Sequence, residues 1–384
     1  MGPLHGIRVL DLSRVLAGPW ATQALADLGA EVIKIERPDG GDDTRQWGPP
    51  YAKDAQGRDT TESAYYLSTN RGKRSVAVDL ANPEGARLVR KLAQCCDVFV
   101  ENFKVGGLAK YGLAYGDLKS DTPAMIQGMG GLMSITGLPD GEPGDGPQKV
   151  GVAVVDLMTG MYAATAITAA LYERRTSGKG QYIDLALLDT QLGWLANQNM
   201  NYLVSGRSPR RQGTAHPNIV PYQAFATADG FLMLAGGNDR QFASWCSVAG
   251  RAELAADARF ATNAARVAHR AEIVPMVAAA LRTRTTRDWL AALNAAKVPC
   301  GPINDIGEVF AEPQVVHRGM RIELPHPTAG HVPGVRNPIN YSRTVIEYRE
   351  APPLLGQHTD QVLEAELGLG SVERARLREA GVIR

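Results

Sequence analysis

The sequence has little of what marks several common protein classes. Its 384 residues include only four cysteines, two of them adjacent at positions 95 and 96. This is neither the cysteine density of a secreted disulfide scaffold nor the paired CxxC spacing of a zinc site, so we expect reduced core thiols. The net charge is only +1. No global field attracts nucleic acid or a membrane, and we expect neither as a partner.

Long apolar runs and common catalytic motifs are also absent. No uninterrupted apolar run is long enough to cross a bilayer, and the first strand-like run begins within a few residues of Met1. We therefore expect no targeting peptide and a cytoplasmic location. GxSxG, HExxH, GxGxxG and GxxxxGK do not occur, and the seven histidines are scattered. A hydrolase triad, a metal site, a dinucleotide fingerprint and a P-loop are therefore not supported.

What is present is an ordinary globular composition with alternating strand and helix patterns. Residues 7–12 and 30–36 are typical of strands and flank a turn and helix from residue 17, and a second helix and strand follow at 82–93 and 97–103. This βαβ order predicts an α/β fold with a Rossmann-like parallel sheet. We also predict a strand at 181–187.

The chain is long enough for two domains. We predict that residues 1–205 form the first part of a large domain and that residues 220–325 form a smaller inserted α+β domain. Within the smaller domain, a hairpin near residues 222–237 precedes an Ala-rich helical stretch at 239–297. Residues 326–384 are expected to return to the large domain.

Asp156 is the main candidate for chemistry. It follows the apolar run 150–155, which fits buried extended structure, and precedes a helix-like stretch that begins at Leu157. A carboxylate at a helix start meets the positive end of the dipole and backbone N–H groups, which favour its ionised, nucleophilic form. The local sequence is equally compatible with a simple N-cap. Both interpretations remain open at this point.

Two groups of residues are candidates for ligand binding. Arg37 ends a strand where a sheet commonly binds anions, and Arg71, Lys73 and Arg74 concentrate positive charge before another strand. Such a group suits the phosphates of a small ligand, although it also fits a solvated strand start. Gly236 and Gly237 permit close approach of a ligand, but a hairpin end also needs glycine.

Eight short motifs in one order give the chain a resemblance to a known family. They are VLDL (9–12) with AGP (17–19), LGAEVIKIERP (28–38), NRGKR (70–74), VENF (100–103), DLMTG (156–160), GKGQ (178–181), CGPI (300–303) and LGQHT (355–359). The sequence closely resembles the family III CoA-transferases, which include formyl-CoA transferase and succinyl-CoA-dependent dicarboxylate CoA-transferases. The resemblance runs almost from end to end.

The resemblance implies that Asp156 is the nucleophile that attacks an acyl-CoA thioester. It implies transfer of CoA from a succinyl-CoA-like donor to a small carboxylic or dicarboxylic acid through an aspartyl anhydride and an aspartyl-CoA thioester. A carboxylate is already ionised at neutral pH and needs positioning rather than a base. Oxyanion donors are expected from Gly236 and Gly237. The family also implies an interlocked homodimer.

By similarity to the family, eight residues would bind the CoA moiety. Leu16 and Arg37 would border the nucleotide, and Arg71, Lys73 and Arg74 would meet its phosphates. Asn102, Phe103 and Lys110 would line the adenine end and the pantetheine path. Coenzyme A, as acyl-CoA, is the only expected cofactor.

The chain departs from the family pattern between Leu118 and Met125. About two dozen residues are missing there, far more than a surface loop of about 4–6 residues can lose. The loss of a strand and part of the CoA wall predicts weakened CoA binding and low or absent activity. One alternative is an α-methylacyl-CoA racemase, but Thr122 stands where its catalytic histidine would fall. The other is a protein that binds CoA without turnover, or a structural remnant.

Overall fold

The computed structural model of the chain describes residues 1–104, 107–113, 127–348 and 350–384. Two compact units are present. The first comprises Met1–Gly130, Gly151–Asn199 and Pro313–Arg384, and the second comprises Gly131–Val150 and Met200–Glu312. In contrast to the predicted segments, residues 131–150 and 200–205 lie in the second unit, and residues 313–325 lie in the first.

The strands are short and lie in four sheets. In chain order they are β1 (Arg8–Asp11), β2 (Glu31–Glu36), β3 (Tyr51–Lys53), β4 (Asp59–Ser63), β5 (Lys73–Ala77), β6 (Val98–Val100), β7 (Tyr222–Ala226), β8 (Phe231–Ala235), β9 (Cys300–Pro302), β10 (Arg321–His326) and β11 (Gly330–Val335). In the first unit, β5, β2, β1 and β6 form one parallel sheet in that order. The predicted α/β fold with a parallel sheet is confirmed.

The helices cover both faces of this sheet and build most of the second unit. They are α1 (Ala17–Asp27), α2 (Ala64–Thr69), α3 (Pro83–Gln94), α4 (Leu132–Ile135), α5 (Val154–Ser177), α6 (Leu187–Trp194), α7 (Asn197–Ser205), α8 (Asp239–Val248), α9 (Ala252–Ala256), α10 (Asn263–Ala268), α11 (Arg270–Leu281), α12 (Thr286–Ala295), α13 (Ile306–Ala311), α14 (Pro313–His317), α15 (Thr359–Leu367) and α16 (Ser371–Glu379). Short 3-10 turns occupy Asp43–Gln46 and Ala109–Tyr111.

Successive side chains of β1 enter two different cores, as strand alternation requires. Val9 packs with Leu25 of α1 and Ile167 of α5. Leu10 instead belongs to a larger cluster formed with α3 and the two C-terminal helices, which includes Leu363. The first unit is therefore a three-layer structure with the parallel sheet in the middle.

The C-terminal segment is attached directly to β5. The N–H of His358 donates to the carbonyl of Ser75 at 2.9 Å, and the Thr359 hydroxyl accepts from the N–H of Ala77 at 3.0 Å. Ile383 forms an antiparallel bridge with Val78. The end of the chain thus completes the core that its beginning starts.

The second unit contains the antiparallel sheet β7-β8-β9, in which β7 and β8 pair from Tyr222↔Ala235 to Ala226↔Phe231. The hairpin and the helical stretch predicted from the sequence are confirmed. Helices α8 to α12 supply its core, centred on the fully buried Trp245 and Trp289.

Two local predictions were wrong. Residues 181–187 are not a strand, because residues 181–186 have no regular secondary structure and α6 begins at Leu187. Residues 150–153 are not a buried strand either, since Val152 is exposed and α5 begins at Val154. By length and composition alone, α5 is long and apolar enough to cross a bilayer.

Candidate active site

Asp156 lies inside the first turn of α5 rather than at its cap. The cap residue is Ala153, whose carbonyl accepts the N–H of Asp156 at 3.1 Å. The N-cap interpretation of Asp156 is therefore wrong. Asp156 is only 5% exposed, and its Oδ2 has no hydrogen-bond partner within the described part of the chain. A buried carboxylate oxygen without a partner is energetically unfavourable and needs a functional or structural reason.

The charge state of Asp156 also differs from the expectation. Burial raises the pKa of its carboxyl to about 7, and the hydrogen bond from its own N–H only partly opposes this rise. The sequence predicted that the helix start would favour the ionised form. Loss of hydration outweighs that effect here, because a nearly enclosed carboxylate loses most of its water.

A close helix crossing places Asp156 beside the start of α1. A Cβ at Gly160 would lie 2.7 Å from the carbonyl oxygen of Ala17 and 3.0 Å from Trp20 Cδ1, so only glycine permits this approach. Asp156 lies one turn earlier on the same face of α5. It therefore lies on the side of α5 that meets α1, and Leu16, which caps α1, is buried.

The sequence analysis missed Tyr65, which lies near Asp156, and Trp47, which contacts Tyr65. Burial raises the pKa of the Tyr65 hydroxyl, and the charge of Asp156 raises it further, which places the two groups within electrostatic range. Tyr65 meets the half-exposed ring of Trp47 edge to face at a centroid distance of 5.0 Å. Their sequence context, a pair of tyrosines and a Trp in a Gly- and Pro-rich stretch, contains no specific signal.

The structure brings four of the predicted CoA residues to one end of the sheet. Leu16 follows β1, Arg37 follows β2, and Asn102 and Phe103 follow β6, all at the carboxyl ends of parallel strands. This is the end at which open α/β sheets bind ligands.

Arg14 links the three loops that carry these residues. Its guanidinium lies 4.9 Å from the Phe103 ring centroid, and it shares Asp43 with Arg37. Arg14 and Arg37 are both more than two-fifths exposed.

The other predicted phosphate ligands are engaged elsewhere. Arg71 is buried in a two-bond pair with Asp27, at 2.8 and 2.7 Å, and Arg74 pairs with Glu31 at 2.7 Å. Asp27 ends α1 and Glu31 opens β2, so both guanidinium groups lie at the opposite end of the sheet from Arg37. The structure does not bring these two cations to the other CoA residues.

Lys73 is completely enclosed. Its Nζ donates to Asp11 Oδ2 at 3.1 Å and to main-chain and amide oxygens of Pro19 and Asn70 at 3.0 Å. Burial lowers the pKa of its ammonium to about 8, against the opposing effect of Asp11. In this structure it holds the sheet to α1 and offers no surface to a phosphate.

Lys110 and the glycine pair are the remaining predicted residues. Lys110 is exposed on its 3-10 turn, with Nζ 4.7 Å from the ring centroid of Tyr111. Gly236 and Gly237 belong to the second unit. The N–H of Gly236 already donates to the Pro221 carbonyl at 2.9 Å, so it is not a free oxyanion donor. Gly237 directly precedes the Asn238 cap of α8.

Comparison with known proteins identifies the family of this chain. The family model described as CoA-transferase family III matches residues 4–127 and 120–359. The chain belongs to CoA-transferase family III. Enzymes of this family use CoA thioesters as substrates, which establishes CoA transfer as the general activity. Among the described residues no cluster of three or more His, Cys, Asp or Glu could hold a metal ion.

Relatives of this CoA-transferase cover nearly its whole length. The succinate–glutarate CoA-transferase of Agrobacterium fabrum is 52% identical over 95% of this chain and 96% of its own. The succinyl-CoA:glutarate CoA-transferase of Mus musculus is 43% identical over 100% and 91%. A crystal structure of a CAIB/BAIF family protein from Brucella suis is 45% identical, with a TM-score of 0.80, over 95% of this chain and 99% of that one.

The same comparisons bear on the missing segment. The alignment with the mouse enzyme spans 406 positions and uses all of this 384-residue chain, so at least 22 positions have no residue here. The two stretches matched by the family model meet at residues 120–127, where the sequence predicted the gap. The predicted gap at 118–125 and Thr122 lie outside the described residues. The alignment with the mouse enzyme therefore gives a minimum size for the missing segment. None of the three proteins described above is named as a racemase.

Proposed function

We propose that this CoA-transferase moves CoA from succinyl-CoA, or a similar donor, to a small dicarboxylate such as glutarate. The substrates follow the names of the Agrobacterium and mouse relatives. The observation that carries the proposal is the buried Asp156, whose Oδ2 has no partner in the described chain and which lies on the side of α5 that meets α1. Such a carboxylate is prepared to react with an electrophile rather than to stabilise the fold.

The proposed reaction needs no external base. The ionised Asp156 attacks the thioester carbonyl and the C–S bond breaks, which gives a mixed anhydride and CoA thiolate. The thiolate attacks the aspartyl carbonyl, releases the donor acid and leaves an aspartyl-CoA thioester. The acceptor carboxylate attacks that thioester, and the freed thiolate then attacks the acceptor's acyl carbon, which regenerates Asp156. Each step exchanges one nucleophile for one leaving group, so no net proton transfer occurs.

The residues around Asp156 suit the charge that develops in each step. Every tetrahedral intermediate carries an oxyanion that needs hydrogen-bond donors. The Tyr65 hydroxyl feels the charge of Asp156 and is neutral at working pH, because its pKa is raised. We propose Tyr65 as one of these donors.

The carboxyl end of the sheet fits the phosphates of CoA. Arg14 and Arg37 are exposed cations that share Asp43, and Arg37 also meets the exposed Asp39 at 3.7 Å, so a ligand phosphate can replace or join these partners. Arg71 and Lys73 lack such freedom because their buried carboxylate partners occupy them. The proposed phosphate site therefore comprises Arg14 and Arg37.

We further propose that the active form is a homodimer. Helices α5 and α6 expose apolar side chains that a soluble monomer seldom leaves in water, namely Met161, Tyr162, Tyr172, Leu192 and Trp194. Light scattering on a sizing column should give twice the 41.2 kDa of one chain.

The test of the reaction is an exchange assay. Purified protein is incubated with succinyl-CoA and a panel of dicarboxylates, and new acyl-CoA is measured by mass spectrometry. A covalent CoA adduct should map to Asp156, and Asp156→Ala should abolish both the adduct and the exchange. An Asp156→Ala protein that still exchanges CoA would contradict the mechanism.

The shorter chain supports a second candidate, namely a CoA-binding protein with little turnover. At least 22 positions of the mouse enzyme have no counterpart here. Under this candidate CoA raises the melting temperature, as any ligand of the folded state does, but no acceptor gains CoA. Saturable turnover at a rate typical of enzymes, roughly 1–10³ per second, would refute it.

A further inference from the structure

Val15 has a backbone conformation that valine rarely adopts. Its φ is +70°, in the left-handed region, where a β-branched residue is a genuine outlier. Val15 lies in the loop between β1 and α1, immediately before Leu16. Such strain persists only where surrounding groups enforce it, and it occurs preferentially at ligand sites.

Asp42 is the group that holds Val15. The N–H of Val15 donates to both carboxylate oxygens of Asp42, each at 3.3 Å. Asp42 is itself fixed by the Lys34 ammonium at 2.9 Å and by the N–H and hydroxyl of Thr44 at 3.0 and 2.8 Å. Lys34 also donates to the Ser13 carbonyl at 2.8 Å, so one buried ammonium binds both the loop and Asp42.

Asn102 holds the residue between these two contacts. Its side-chain oxygen accepts the N–H of Arg14 at 2.9 Å, and its side-chain nitrogen donates to the carbonyl of Arg14 at 2.8 Å. Side chains from the loops after β2 and β6, and from β2 itself, therefore bind the backbone of three consecutive residues, Ser13 to Val15. Distant parts of the chain therefore hold the loop, together with Asp11, which accepts the N–H of Ser13 at 2.9 Å.

We infer that Asp42 is a positioning residue of the CoA site, which acts by holding Val15 in the left-handed conformation. The inference rests on the proposed function, because it takes the loop at Leu16 to border the nucleotide. Asp42 is only 1% exposed and cannot touch a bound molecule. Any effect of Asp42 on CoA affinity must therefore pass through the loop.

The consequence is a binding loop that is rigid before CoA arrives. A ligand that meets a preformed loop loses less free energy to ordering than one that must select a minor conformer. Weakening the hydrogen bonds between Asp42 and the N–H of Val15 should raise the Kd for CoA. The kcat at saturating succinyl-CoA should stay nearly unchanged, because Asp42 does not contact the reacting atoms.

The first experiment compares two variants at position 15 by calorimetric titration of the full-length protein with CoA. Glycine adopts positive φ at no steric cost, whereas proline is restricted to about −65° and has no N–H to donate. We expect the Kd of Val15→Pro to exceed that of Val15→Gly by about tenfold, equivalent to about 1.4 kcal/mol. A ratio below about threefold would overturn the inference.

The second experiment is a double-mutant cycle between Asp42→Asn and Val15→Gly. Asp42→Asn alone should raise the Kd for CoA about tenfold, and Val15→Gly in the same chain should recover most of that loss, because glycine adopts a positive φ without these hydrogen bonds. Strictly additive effects would show that Asp42 acts otherwise and would overturn the inference. If Asp42→Asn does not fold, the Val15 pair decides the question.

Thr359→Val serves as the stability control. Its buried hydroxyl joins Ala77 of β5 to Gly356 and bonds none of the groups that hold residues 13–15, so the substitution should lower the melting temperature without changing the Kd. CoA binding by the native chain without transfer would overturn the proposed reaction alone. Equal Kd values for the two Val15 variants would overturn this inference alone, and absence of CoA binding by the native chain would overturn both.

Discussion

Replacing Asp156 by asparagine should abolish CoA transfer and make the protein more stable. Asparagine has nearly the same shape but carries no charge, so the folded chain no longer has to bury an ionised carboxylate. In the native protein, burial raises the pKa of Asp156 to about 7 from its usual 3.8. The folded state therefore binds a proton at Asp156 over a pH range in which the unfolded chain has released it.

The size and the sign of the effect follow from proton linkage. A carboxyl whose pKa is raised on folding stabilises the fold at low pH, and that contribution is lost as pH rises to the folded pKa. With each pKa unit worth about 1.36 kcal/mol, the native protein should lose roughly 4 kcal/mol between pH 3.8 and 7 from this group. About 3 kcal/mol of this lies between pH 5 and pH 8. The free energy of unfolding of Asp156→Asn should not fall in this way as the pH rises.

The assay is chemical denaturation of both proteins at pH 5 and pH 8. The advantage of Asp156→Asn in the free energy of unfolding should grow by about 3 kcal/mol from the lower to the higher pH. Asp229→Asn is the control without this pH dependence, because the N–H of Thr286 holds the pKa of Asp229 below its usual value, and the carboxyl is ionised in both the folded and the unfolded state at pH 5 and pH 8. An equal advantage for Asp156→Asn at both pH values would refute the reasoning.

Three further predictions concern the same unit. The kcat/KM for succinyl-CoA should rise with pH and level off above about 7, because only ionised Asp156 is nucleophilic; a flat profile between pH 5 and pH 9 would contradict this. Gly160→Ala places a Cβ 2.7 Å from a main-chain oxygen of α1, so it should destabilise the fold by about 1–3 kcal/mol and lower kcat, measured by denaturation and exchange; unchanged stability would show that the helices can separate. Lys73→Met leaves Asp11 buried without its cation and should destabilise the protein by about 3–5 kcal/mol, whereas a surface role would leave the melting temperature unchanged.

The sequence was sufficient for those parts of the fold whose pattern is local. The alternation in residues 7–12 and 30–36 and the capped helix after Asn82 were predicted correctly, because apolar periodicity and capping depend on near neighbours. The strand predicted at 181–187 has the same kind of pattern. A strand also requires a pairing partner, however, and local alternation does not supply one.

The site was harder to predict, because its contacts join distant positions. The Arg71–Asp27 and Lys73–Asp11 pairs span 44 and 62 residues, so a cluster of cations could not be recognised as buried ion pairs. For Asp156 the local sequence indicates the helix dipole, which lowers the pKa of the carboxyl, but not the burial, which raises it by more. Tyr65 became a candidate only when folding placed it near that carboxylate.

The attachment of the C-terminal segment to β5 has a consequence for synthesis. Val362, Leu363, Leu377, Val382 and Ile383 complete the core that begins with Leu10, so the first unit cannot close until almost the whole chain has left the ribosome. Residues 200–312, which form most of the second unit, emerge earlier and contain their own core. Domains generally fold as units during translation at about 5–20 residues per second. The inserted unit should therefore fold first, while the nascent sheet around it waits several seconds with an exposed face that chaperones can bind.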